Sequence, residues 1–124
     1  RRVTKRGISM YHTVFDATIS SFATSSAEVN LGKGFKNVWV EVPTMTSNST
    51  LHVQVANASG GTYRRLVEKD PASAAASVDY QINSATTNRI VACPPAGGLR
   101  FLKMESVAVL SAAVAFKIIC SDDN

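Results

Sequence analysis

Apolar and polar residues alternate with a period of two through most of this chain. In Val38-Trp39-Val40-Glu41-Val42 the valines fall on one side and Trp39 and Glu41 on the other, the signature of a strand with one buried face. Pro43 ends that run, because proline cannot donate to a ladder. Leu51, Val53 and Val55 alternate with His52, Gln54 and Ala56, which predicts a second strand with His52 on its wet side. Near the end, Val114, Phe116, Ile118 and Cys120 share one face, opposite Ala113, Ala115 and Lys117. In Leu99 to Ser106, Leu102 and Met104 oppose Phe101 and Lys103. Shorter runs at Val14 to Ile19, Tyr63 to Val67, Val78 to Ile82 and Arg89 to Cys93 complete the set. Asp16 interrupts the first, and Val78, Tyr80 and Ile82 fall on one side of the third.

Between the runs stand turn residues. Asn57-Ala-Ser-Gly-Gly separates two extended stretches, a hairpin signal, because glycine accepts the positive φ such turns require. A phosphate-binding loop needs a helix next, with free amides aimed at the anion; Thr62-Tyr63-Arg64-Arg65 has no such character. Gly32-Lys33-Gly34 reads as a turn for the same reason. Lys69 to Asn88 opens on an Asp-Pro break and reads as a long surface loop. No amphipathic helical pattern appears. The expectation is all-β: a β-sandwich or jelly roll of about eight antiparallel strands, with a barrel of similar size as the alternative. Its core would gather the alternating valines with Trp39, Phe101 and Phe116.

Length and charge refine this picture. With 124 residues the chain suits one domain, because two cores would each be too small to stand alone. Four of its thirteen basic residues, Arg1, Arg2, Lys5 and Arg6, crowd the start, and the remaining nine are matched by nine acids. The expected organisation is therefore a basic N-terminal arm over residues 1–12 and a neutral sandwich over residues 13–124. A nucleic-acid domain would carry more cations and aromatics within its fold, so nucleic acid is not the expected partner. The longest apolar stretches are broken by Ser and Lys, and the opening does not read as a signal peptide, so no membrane is expected.

Candidate chemistry is sparse. Cys93 and Cys120 are the only cysteines, with no Cys-x-x-Cys, and His12 and His52 lie far from both in sequence. That predicts free buried thiols and neither a metal site nor a thiol nucleophile. No carboxylate pair or nucleophile turn can be nominated, so no catalytic residue, cofactor or metal is expected. The chain reads as a non-enzyme.

Two stretches, Val38 to Glu68 and Gly97 to Asp122, resemble a type of small virion protein found in tailed bacteriophages. The likeness lies in a strand, an Asn-Ala-Ser-Gly-Gly turn and a Thr-Tyr sequel, followed downstream by Leu99-Arg-Phe-Leu-Lys and a terminal Ala115-Phe-Lys-Ile-Ile-Cys strand. The layout is also similar to discoidin-like jelly rolls, which share the aromatic-basic pattern of Arg100-Phe101-Leu102-Lys103. This resemblance implies a structural virion protein, a capsid decoration or cement protein that binds the head lattice and stabilises it. Its implied partners are the major capsid protein or other virion proteins, and its implied place is the capsid surface after synthesis in the host cytoplasm. A tail or head–tail joining position fits the same resemblance. So does a carbohydrate or host-surface binding module using Trp39, Tyr63 or Tyr80 as stacking platforms.

The expected mechanism is adhesion through strand edges, end loops and the arm, with self-association into a homo-oligomer, for which a trimer would suit a capsid. The expected partner-binding residues are Arg1, Arg2, Lys5 and Arg6 for steering and Ile8, Met10 and Tyr11 for apolar anchoring.

Overall fold

The structure is a computed structural model in which residues 12–45, 50–69, 77–83, 88–94 and 99–122 are described. The seven expected arm residues all lie outside them. The described chain is all-β. Its strands are β1 (His12–Ile19), β2 (Val29–Asn30), β3 (Asn37–Val42), β4 (Leu51–Ala56), β5 (Arg64–Arg65), β6 (Val67–Lys69), β7 (Ser77–Asp79), β8 (Gln81–Ile82), β9 (Arg89–Ala92), β10 (Phe101–Ser106) and β11 (Val114–Ser121).

Two sheets make the sandwich. One has the order β1-β11-β3-β9, and the other β2-β10-β4-β5, with β8 also pairing with β4. Every pair between these strands is antiparallel. Setting aside β6, β7 and β8, eight strands remain, and they pair first with last, second with seventh, third with sixth and fourth with fifth. That is one long hairpin rolled across two sheets, the jelly-roll topology. Seven of the eight expected runs fall on these strands; β2 was not among the runs, and the eighth run, Val78 to Ile82, is split between β7 and β8. β6 and β7 form a separate ribbon, and β8 returns to β4.

The core lies between the sheets. Ala17, Ile19, Val40, Val42, Phe116, Ile118 and Cys120 come from one side, and Leu51, Val53, Leu102 and Met104 from the other. β11 follows the alternation residue by residue: Val114, Phe116, Ile118 and Cys120 are all buried. Burying one Phe- or Ile-sized side chain contributes roughly 1.5–3 kcal/mol, so this seam dominates the fold's stability.

Four sequence expectations about which residues face the interior need correction. Trp39 is half-buried and stands outside the core cluster, because alternation with Val38 and Val40 turns it to the outer side of its sheet. Phe101 is buried, but with Ala56, its cross-strand neighbour, and apart from the main cluster. Tyr80 and Ile82 are buried while Val78 is 38% exposed, because the chain changes sheets between β7 and β8. Asp16, which seemed to interrupt the first strand, lies on its outer side, where it pairs with Lys117.

Candidate functional site

The glycine loop after β4 shows what its geometry is for. Residues 57–63 connect β4 to β5, and Gly60 takes φ +70°. The Ser59 hydroxyl (2.6 Å), the Gly60 amide (2.8 Å) and the Tyr63 hydroxyl (2.5 Å) all donate to the carboxylate of Glu28. The loop is an anion cradle, and its anion is the chain's own. Donation from Ser59 above all, then from Tyr63 and Gly60, holds Glu28 at a pKa of about 2. The Lys103 ammonium sits 4.6 Å from the centre of the Tyr63 ring. Tyr63 is therefore engaged at its hydroxyl and on its face.

Beside that cradle, the outer side of the β10–β4 sheet carries a closed polar network. Arg65 grips Glu105 with two nitrogens, each at 2.9 Å, and reaches Asp79 with the third at 3.2 Å. Gln54 donates to Glu105 at 2.9 Å. A fork-to-fork Arg–carboxylate pair is the strong form of this contact, and its first effect is to lower the Glu105 pKa. The network ties β5, β4, β10 and β7 together.

His52 belongs to the same side, as alternation predicts, but it is 3% exposed, not wet. β8 pairs along β4 at this point, and the imidazole Nδ1 lies 3.1 Å from the Tyr80 carbonyl, so Nδ1–H donates there. The phenol of Tyr80 in turn donates to the Ala92 carbonyl at 2.7 Å, and Tyr80 is only 6% exposed. Tyr80 is a tie between the two sheets and offers no stacking platform. Neither fact was visible in sequence, because a two-residue strand leaves almost no periodic signal.

The cysteines are free: Cys120 is buried and Cys93 half-buried. The Cys93 amide bonds the Val38 carbonyl, and Cys120 faces Val38 from the opposite strand. One strand thus separates them, which places their Cα atoms about 10 Å apart, beyond the roughly 7 Å a disulfide tolerates. Burial pushes the Cys93 thiol up to about 12 and the Cys120 thiol up to about 11, so both stay protonated and unreactive at neutral pH. Cys93 borders an apolar crevice with Leu31, Phe35 and Leu99, whose free volume is about 10 Å³, the bare minimum for a single water. Among the described residues, no group of three His, Cys, Asp or Glu side chains is placed to hold a metal ion.

Two regions remain open. At one end of the sandwich the loop after β1 and the loop between β10 and β11 are joined: the Phe22 amide bonds the Leu110 carbonyl and the Leu110 amide bonds the Ala23 carbonyl. This end displays Phe22, 79% exposed, with Val107 and Val109. Phe22 holds φ +63°, a conformation costing a bulky residue about 1–2 kcal/mol, and it exposes its ring there. The second region is the outer side of the β1-β11-β3-β9 sheet. Register aligns Val14, Ile119, Trp39 and Ala92 in one row across all four strands. The next row reads Asp16, Lys117, Glu41 and Ile90.

No family model matches the chain, and no curated protein matches it by sequence. Among solved structures, the crystal structure of the SPBc2 prophage-derived protein YomS is similar, with a TM-score of 0.56 at 17% sequence identity, over 95% of this chain and 98% of that one. What this chain shares with that prophage protein, from end to end, is a fold.

Proposed function

We propose that the chain is a structural virion protein of a tailed phage that decorates the capsid and acts by adhesion. The observation that carries this reading is the fold shared over nearly the full length with a prophage-derived protein. The surface supports it. Polar groups of the kind that bind small molecules are already engaged with one another around Glu28 and Glu105, whereas large apolar side chains stand exposed at one end loop and on one sheet. Exposed apolar groups rimmed by charge are what protein partners bury.

In this reading, the end bearing Phe22, Val107 and Val109 meets the head lattice, and the basic arm steers the approach. Covering Phe22 would remove a large exposed aromatic surface from water, the kind of anchor that carries binding energy. The carbohydrate reading keeps only Trp39 of its three platforms, since Tyr80 is buried and Tyr63 is engaged.

The test is to purify particles of the phage encoding this chain, separate heads from tails and quantify the chain by mass spectrometry. Decoration predicts many copies per head, lost when the Phe22→Ser chain replaces the native one. A few copies confined to tails would move it to the joint or tail, and its absence from particles would end the virion reading.

A further inference from the structure

The outer side of the β1-β11-β3-β9 sheet is complementary to itself. Consider a two-fold axis parallel to the strands and lying between β11 and β3. It lays a second copy face to face on the first with the strand order reversed, so β3 of one copy covers β11 of the other. Ile119 then meets the other copy's Trp39, and Val14 meets Ala92, a large side chain against a small one. In the next row Lys117 meets the other copy's Glu41, and the symmetry makes that contact twice. At the two edges Asp16 meets the other copy's Ile90, and there Asp16 keeps its pair with Lys117 at the solvent-open rim. We infer that this face is the seat of a second copy of the chain, forming a two-fold sheet-on-sheet dimer.

Charge sets the register. Slipping the copies by one strand would place Lys117 on Lys117 and Glu41 on Asp16 in one direction, or Glu41 on Glu41 in the other, whereas the centred arrangement pairs opposite signs. Of the apolar side chains on this face, Val14 is 56% and Ile90 58% exposed, while Trp39 and Ile119 are half-buried. Sheets packed in this aligned manner sit about 10 Å apart, a gap that side chains of this size fill. The face measures about 19 Å across and, averaged over strands of eight, eight, six and four residues, about 22 Å along, or about 400 Å² per copy. Two such faces bury about 800 Å², below the range of stable interfaces, so the dimer is weak and depends on concentration.

Sedimentation velocity on the full chain, from about 10 μM to about 1 mM, tests this. The expected result is a monomer–dimer equilibrium. Lys117→Glu and Glu41→Lys should each raise its Kd about tenfold or more, since each turns both charge contacts repulsive. A mixture of the two variants should recover a heterodimer, because one copy then carries acids at both positions and the other carries lysines, so both contacts pair opposite signs again. Melting curves confirm that both variants fold, and recovery in the mixture excludes misfolding as the cause. A monomer at every concentration overturns the inference. So does a dimer indifferent to both charge changes, or one abolished by deleting residues 1–11, which would make the arm of a neighbour the occupant. A monomeric outcome leaves binding to a particle untouched, because that contact is assigned to a different feature, the Phe22 end.

Discussion

The two sheets share one core and differ in what they show to the outside. On the β10–β4 sheet the outward residues include Lys103, Gln54, Glu105 and His52, and each of these four has a partner in the chain. On the β11–β3 sheet they are Ile119, Trp39, Lys117 and Glu41, an apolar row beside a charged one. The first face consumes its own chemistry in holding short strands β5, β7 and β8 in place. On the second, Lys117 pairs with Asp16, while Val14 and Ile90 stay more than half exposed. An arginine fork is therefore no guide to a binding site here, and a row of exposed hydrophobes is a better one.

The change that most damages both faces is Phe116→Ala. Phe116 is fully buried between the sheets, and its loss should cost about 3–5 kcal/mol in denaturant unfolding. Both outer surfaces should weaken together; retained stability would mean that the sheets do not share this seam. Glu105→Ala comes next and acts on one face only. It strands Arg65 and Gln54, and because the Arg65 side chain is 38% exposed, water softens the loss to about 1 kcal/mol. Hydrogen exchange should speed up in β5 and β7 and stay unchanged in β1.

Titration separates the faces by sign. Glu28 and Glu105 have folded pKa values below the ordinary 4.5, so their contribution is present above that value and is lost as pH falls through the folded one. For Glu28 the window runs from 4.5 down to about 2. Lys117, beside Asp16, is raised above its ordinary 10.5, so its contribution is present below 10.5 and is lost as pH rises through the folded value. Melting curves should decline in acid with loosening around the Ser59–Tyr63 loop, while the β1–β11 side responds at the alkaline end. Smallest in stability is Trp39→Ser, which removes a half-buried ring from the outer side of its sheet and should cost about 1 kcal/mol. Its main effect should appear in self-association, and a large drop in melting temperature would mean that Trp39 belongs to the core after all.

Much of the fold was legible in the sequence because alternation reports directly on which side a residue faces. β11 and β4 follow it from end to end on their core side. What alternation cannot report is what covers the other side. His52 lies on the expected side and is buried, because a two-residue strand with no pattern of its own comes back over it. Trp39 is counted with the core in the sequence reading, although its position between Val38 and Val40 turns it outward. The ion network was illegible for a different reason: Glu28, Arg65, Asp79 and Glu105 come from separated stretches, and only the rolled hairpin brings them together. The expected arm residues lie outside the described chain, whereas the exposed Phe22, Val107 and Val109 sit in end loops that carried no sequence signal beyond being loops.

Trp39 is the chain's single tryptophan, so its fluorescence reports on the open face without a label. The direct measurement is its emission maximum and its quenching by iodide as the full chain is concentrated. A face that receives a second copy predicts a blue shift and loss of quenching that rise together with the dimer fraction and vanish in Lys117→Glu. Emission and quenching that stay constant while the chain dimerises would place the contact elsewhere and contradict the account.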